Sequence, residues 1–200
     1  MSALNLRSEL RARIRAQREA LDPHARMAAA QGLAQQLEAL PEFLVDQRVA
    51  GYWAVDGEMP LHIVATHLRR RDQQFYLPVA GPQRRLRFAP YRGGGAIIPN
   101  RYGIPEPQAA ESELIDAEAL ELVLVPLVAF DRRGHRLGFG GGFYDTSFAF
   151  LRAVPRPAAT VLVGVGYAFQ EVDALDPADW DVQLDFIATE RELIACTTPV

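Results

Sequence analysis

Residues 130–145 read FDRRGHRLGFGGGFYD. Four glycines, Gly138, Gly140, Gly141 and Gly142, fall within five positions, with Arg132, Arg133 and Arg136 before them and Asp145 after. Glycine accepts positive φ, and without a Cβ it lets a ligand approach the backbone amides. Successive N–H groups then face an anion, and the N-terminus of a following helix adds its dipole. The arginines add positive charge, and Asp145 is placed to hold a phosphate-bound Mg²⁺. The chemistry suggested is capture of a polyphosphate. The spacing is neither that of a P-loop, which ends in Gly-Lys-Ser/Thr, nor GxGxxG, because position 143 is Phe. A glycine-rich turn without a ligand remains open at this point.

Other residues extend the pattern. Arg7, Arg11, Arg15 and Arg18 form one stripe of a helix over residues 4–21, beside an apolar stripe of Leu10, Ile14 and Leu21. By charge alone this is a solvated helix face. Its functional alternative is an arm that brings guanidinium groups to a polyphosphate. Residues 52–58 end a strand with aromatics and a carboxylate, and Glu58 beside Trp53 suits a planar, hydrogen-bonding ligand, although an aromatic there is also ordinary core. The turn 100–107 sets Tyr102 where it can stack. Asp176, Asp179, Asp181 and Asp185 make an acidic stretch, one member of which could join Asp145 at a metal. His24, His62, His67 and His135 show no metal spacing, no GxSxG is present, and Cys196 has no partner motif. Nothing points to a protein nucleophile.

The elements that must position these groups alternate. Helices are expected at 4–21 and 23–39, with Asp22-Pro23 between them and Pro41 closing the second. Strands are expected at 48–54, 74–79, 86–90, 121–128, 160–166 and 185–189, and further helices at 60–71, 111–119 and 142–152. That order predicts an α/β fold with a mainly parallel sheet. The runs LVLVPLV and TVLVGVG are apolar on both parities, as strands buried on both faces are. Ligands in such sheets gather at the carboxyl ends of strands, where the glycine loop falls. Residues 80–107 read as a long excursion over one face. A single domain over 1–200 is expected, with a helical arm at about 4–40. The net charge of −4 argues against nucleic acid and anionic membranes. No apolar run approaches the about 18 residues of a membrane span, and the N-terminus lacks a signal peptide's apolar core. The single cysteine excludes an internal disulfide. A cytoplasmic monomer is expected.

Together these features resemble the 5-formyltetrahydrofolate cyclo-ligase (5,10-methenyltetrahydrofolate synthetase) family. The likeness runs along nearly the whole chain: Arg7-x-x-Leu10-Arg11, Gly57-Glu58, Tyr76-Leu77-Pro78-Val79, Tyr102 to Pro107, Leu124-Val125-Pro126 through the glycine block to Asp145, and Asp181-x-x-x-Asp185-x-x-x-Thr189-Glu190. The resemblance implies a three-layer α/β sandwich of NagB/RpiA/CoA-transferase-like topology. It implies ATP-dependent closure of 5-formyltetrahydrofolate to 5,10-methenyltetrahydrofolate with release of ADP and phosphate, through phosphorylation of the formyl oxygen and attack by N10.

Carried over by position, ATP falls to Arg7, Arg11 and the loop Arg136, Leu137, Gly138, Phe139, Gly140, Gly141, Gly142, Phe143 and Tyr144. Within that loop Arg136, Gly140 and Tyr144 are the expected catalytic positions. Folate falls to Trp53, Glu58 and Tyr102 and to the loop face from Phe139 to Phe143. Mg²⁺ falls to Asp145 and Asp181. Four positions depart from the usual pattern: Arg7 stands for Lys, Pro60 for an acidic residue, Thr146 for a basic one, and Gly141 for a Lys found in some relatives. Two rivals remain: a paralogue acting on another ligand, and a non-catalytic nucleotide- or nucleic-acid-binding regulator.

Overall fold

The computed structural model describes residues 3–100, 103–156 and 158–196. Its strands are β1 (Arg48–Ala50), β2 (Gln74–Ala80), β3 (Leu86–Pro90), β4 (Ile97–Pro99), β5 (Pro105–Pro107), β6 (Leu122–Pro126), β7 (Ala129–Phe130), β8 (Arg136–Leu137), β9 (Val161–Val165), β10 (Phe186–Ala188) and β11 (Leu193–Ala195). Its helices are α1 (Ala3–Glu19), α2 (Pro23–Leu37), α3 (Pro41–Val45), α4 (His62–Arg70) and α5 (Phe143–Ser147). Seven strands form one sheet in the order β11-β10-β9-β6-β1-β2-β3. From β10 through β2 the neighbours are parallel, and β3 and β11 close the two edges antiparallel.

Alternate residues of each strand feed two cores, which makes the fold a three-layer α/β sandwich. On one face Val49, Leu77, Leu122, Leu124 and Val163 pack with Leu33 and Leu37 of α2 and Val64 and Leu68 of α4. On the other, Ala50, Tyr76, Val123, Val125 and Leu162 pack with Phe148, Leu151, Val182 and Leu184. This is the two-faced burial that the apolar runs require. Asp22 accepts hydrogen bonds from the N–H groups of His24 and Ala25 and caps α2, with Pro23 in the first turn. Among the described residues no helix is long and apolar enough to cross a membrane.

Several elements differ from the sequence expectation, each for a local reason. β1 ends at Ala50, four residues early. A Cβ on Gly51 would lie 2.7 Å from the Phe75 ring, so the chain leaves the ladder at its closest approach to the core. It then turns at Asp56 (φ 49°) and Gly57 (φ 71°), closed by Glu58 N–H to Val55 O at 2.9 Å. Two central residues with positive φ make this a type I′ turn. The helix expected at 111–119 is two 3₁₀ turns, 111–113 and 117–119, because Ile115 pairs with Phe88 and is pulled onto the edge of the sheet. The helix expected at 142–152 is the five-residue α5 followed by a 3₁₀ segment, 149–153, the two parted at Phe148, which is buried in the core. Pro41 opens α3 as well as closing α2. The ribbon β4–β5 and the edge strand β11 are short and were not anticipated.

Strand order locates a crevice. From β1 the chain winds outward to β2 and β3; from β6 it winds the opposite way to β9 and β10. β1 and β6 are neighbours. Their carboxyl ends therefore flank a topological switch point, where open α/β sheets place ligands. The loop after β1 carries Trp53 and Glu58. The hairpin β7–β8 after β6 carries the glycine loop.

Candidate active site

The first half of the glycine motif is scaffolding. β7 and β8 pair through Ala129 with Leu137 and Phe130 with Arg136. Between them Asp131 is fully buried and accepts from the N–H groups of Arg133 (3.0 Å), His135 (3.1 Å) and Leu175 (3.0 Å), and from Arg133 Nη2 at 2.9 Å. Burial alone would raise its pKa, but the hydrogen bonds from Leu175, His135 and Arg133 outweigh that and hold the carboxyl below its usual range. Gly134 has φ 85°, and a Cβ there would lie 2.6 Å from Leu184 O. Arg132 turns away to Glu171 and Glu192. Arg136 alone of the three arginines points toward the loop's far side. It pairs with Asp145 at 2.5 Å and donates to Val182 O.

The second half is open and lies beneath α1. A Cβ at Gly138 would meet nothing within 4 Å. Gly140 (φ 95°) and Gly142 (φ 70°) hold left-handed backbone that only glycine adopts at low cost. Arg11 Nε donates to Gly138 O at 2.8 Å. The Arg15 and Arg18 guanidinium groups lie over the Phe139 ring, 5.5 and 5.4 Å from its centroid. Arg7 Nη2 donates to Asp176 O and so ties α1 to the acidic segment. The arginine stripe is thus the inward face of α1, not a solvated one. Leu137 is buried core, Phe143 packs on the second core, and the Tyr144 ring stacks on Phe148 at 6.2 Å. With five residues α5 adds little dipole, so capture of an anion here would rest on loop amides and arginines.

Sequence reasoning missed one cation. Arg84 Nη1 lies 3.8 Å from the place a Cβ would take on Gly142. Gln83 and Arg84 both hold positive φ, 55° and 60°. Non-glycine residues rarely do so in succession. The Arg-rich run 84–87 was visible in the sequence, but its turn geometry was not. Arg84 thus brings positive charge to Gly142, the neighbour of Gly141.

Glu58 forms the other wall. It is 7% exposed, and its Oε2 accepts from Val55 N–H at 3.0 Å. Tyr52 donates to Met59 O at 2.8 Å and Tyr167 to Glu58 O at 3.3 Å, which fixes the turn. Burial raises the Glu58 carboxyl to about 7, with the Val55 N–H and the charge of Arg18 pulling the other way. Tyr144 is half-buried with its hydroxyl covered: burial, then the Glu58 charge, raises its phenol above the usual range. The structure therefore brings Glu58, Tyr144, Arg18 and Phe139 together. Trp53 stands further out, 37% exposed, its ring edge-on to Tyr91 at 6.0 Å. Tyr102 lies outside the described residues.

Asp145 and Asp181 flank one backbone step. Asp145 Oδ1 accepts from Val182 N–H at 3.1 Å, besides Arg136, and Asp181 Oδ2 accepts from Ala178 N–H at 2.9 Å. Among the described residues no group of three or more His, Cys, Asp or Glu could hold a metal ion by itself. Two carboxylates suit Mg²⁺ only when phosphate oxygens and water complete its shell, so this pair fits a metal that arrives with a nucleotide. Asp185 is engaged elsewhere, paired with Arg156 and accepting from Leu162 N–H at 2.8 Å. His67 pairs with Glu38, and His135 with Asp131. Burial, then Asp185 and Asp131, pushes the Cys196 thiol up to about 12, which makes it a poor nucleophile.

Comparison with known proteins gives the family. The chain matches the 5-formyltetrahydrofolate cyclo-ligase family over residues 3–190. The 5-formyltetrahydrofolate cyclo-ligase of Escherichia coli K12 is 32% identical over 182 residues, which cover 90% of this chain and 98% of the relative. That of Haemophilus influenzae is 33% identical over 181 residues, 90% of this chain and 92% of the relative. The solved 5,10-methenyltetrahydrofolate synthetase of Aquifex aeolicus superposes with a TM-score of 0.79 at 29% identity, covering 98% of this chain and 95% of that one. The synthetase of Mycoplasma pneumoniae, at 24% identity and a TM-score of 0.70, shares the fold. The chain belongs to the 5-formyltetrahydrofolate cyclo-ligase family.

Proposed function

We propose that this protein closes 5-formyltetrahydrofolate to 5,10-methenyltetrahydrofolate at the expense of ATP, with Mg²⁺, as a cytoplasmic monomer. One observation supports this reading most directly. A single loop, 138–142, meets the cationic face of α1 through Arg11, and its Phe139 stacks on the Arg18 side chain that borders buried Glu58. A polyphosphate and a flat heterocycle would then lie on the two sides of one glycine-rich backbone.

The residues divide the work. Arg7, Arg11, Arg136 and the loop amides would hold the phosphates, and Asp145 with Asp181 the metal. Glu58 would accept the N–H groups of the pterin, with Trp53 and Tyr102 bordering the rest of the folate. ATP supplies the phosphoryl group that turns the formyl oxygen, a poor leaving group, into a good one, so that the substrate's own N10 can close the ring. The protein's task is alignment and charge stabilisation, which carry most of phosphoryl transfer. Gly140, Arg136 and Tyr144 would carry that task.

The test is absorbance of the methenyl chromophore after mixing protein, MgATP and 5-formyltetrahydrofolate. Growth of the band only with all three present supports the reading. Absence of the band with folded protein, or its growth without ATP, refutes it.

A further inference from the structure

Arg18 heads the fully buried side chains among the described residues, at 0% exposure. Its backbone carbonyl accepts from Arg26 Nη2 at 2.8 Å, but its guanidinium Nε and Nη2 have no hydrogen-bond partner. A buried cation with unspent donors is expensive to keep. It calls for an acceptor that the chain itself does not supply.

Its surroundings say which acceptor. One face of the guanidinium carries the Phe139 ring at 5.4 Å. Its backbone lies against the Asp56–Gly57 turn, where a Cβ on Gly57 would stand 3.1 Å from Arg18 O. Arg18 and Glu58 act on each other electrostatically. The Tyr144 hydroxyl, which feels the Glu58 charge, is also buried without a partner. This cluster therefore presents one acceptor carboxylate beside buried, unspent donors. A ligand that matches has N–H groups along one edge and a carbonyl oxygen next to them. The pyrimidinone half of a reduced pterin is such an edge: ring N–H and 2-amino group for Glu58, and the neighbouring 4-oxo oxygen for a donor. Seven residues separate Arg11 from Arg18, or about 10 Å along α1 at 1.5 Å per residue. That spacing sets a phosphate contact and a pterin contact on one helix face.

We propose that Arg18 is the specificity-determining contact for the 4-oxo oxygen of the substrate's pterin. The inference rests on the cyclo-ligase reading and extends it to a residue outside the phosphate cradle. The test uses folic acid and its 4-amino analogue, which differ in the 4-substituent and in the N3 proton that goes with it, with binding measured by calorimetry without ATP; the change in their ratio on substitution of Arg18 isolates the contact to the 4-oxo oxygen. Arg18→Met should lower the ratio of 4-oxo to 4-amino affinity by at least about fivefold, the order expected for a lost charged hydrogen bond. The 4-oxo compound alone should weaken, and Arg18→Lys should restore part of the ratio. Without ligand, Arg18→Met should melt above the parent, since its apolar side chain leaves no buried donor unspent.

A change in ratio below fivefold for Arg18→Met overturns the proposal. So does equal weakening of both compounds together with a lower melting temperature. If Arg18→Met does not fold, a parent protein that binds the 4-amino analogue as tightly as folic acid overturns it as well. Turnover of 5-formyltetrahydrofolate by the parent, run in parallel, separates the two claims. Without turnover the enzymatic reading fails, whereas turnover with an unmoved ratio removes only the role of Arg18.

Discussion

Glu58→Gln should make the folded protein more stable at alkaline pH while it loses folate. The carboxyl sits at about 7 in the fold against 4.5 as the ordinary value, with burial the main cause. Between those values the folded carboxyl keeps its proton and the unfolded one has lost it. The native state binds more protons there, so stability falls as pH rises through the window, and the full cost stands above about pH 7. The gap corresponds to a ceiling of about 3 kcal/mol. Glutamine cannot ionise, and its amide oxygen can still accept from Val55 N–H, so the variant escapes the cost and keeps the turn. At roughly 2–4 °C per kcal/mol for a chain of this size, the variant should melt about 5–10 °C above the parent at pH 8 and close to it at pH 5. Calorimetric melts from pH 5 to 8.5 would show it. Folate affinity of the variant should fall at least about tenfold at pH 8, with MgATP binding little changed. Melting curves that stay parallel across the whole range would show that Glu58 does not titrate near 7, and the reasoning would be refuted.

Arg11→Ala should raise the KM for ATP more than that for folate, by the roughly 1.5–3 kcal/mol of a charge-assisted contact; equal kinetics for both ligands would return α1 to a scaffold role. Gly140→Ala should lose most turnover, because φ 95° is forced on a Cβ at roughly 1–2 kcal/mol, while nothing closer than 3.9 Å blocks it and the ligand-free melt falls only modestly; parent-like turnover would contradict it. Asp145→Asn leaves Arg136 buried without its charge partner, so stability should drop by about 1–3 kcal/mol and stabilisation by MgATP should vanish, both read from thermal shifts. Arg84→Gly keeps the positive φ and removes the cation, so it should weaken ATP without destabilising the fold; an unchanged KM for ATP would show Arg84 to be incidental.

Much of the frame was legible because it rests on burial. Strands such as 122–128 and 160–166 are apolar on both parities, and only a sheet covered on both sides uses that pattern. The glycine block was legible because four glycines in five positions serve little but backbone conformation and open space. What the sequence hid was direction. Charge pattern alone puts Arg11, Arg15 and Arg18 in solvent; only the docking of α1 on the loop turns that stripe inward. Helix periodicity at 111–119 was overridden by one bridge from Ile115 to Phe88. The arginines beside the motif looked alike, yet Arg132 serves Glu171 and Glu192 while Arg136 serves Asp145. Side-chain partners of this kind are set by tertiary contacts that no local window carries.

The central claim is that ATP activates the formyl oxygen while the protein supplies alignment and charge. The most direct measurement follows that oxygen. Substrate carrying ¹⁸O in its formyl group is converted with MgATP, and the inorganic phosphate released is analysed by mass spectrometry. The account predicts one ¹⁸O in each phosphate formed, in step with growth of the methenyl absorbance. Phosphate free of label, with the label recovered in water instead, would contradict it.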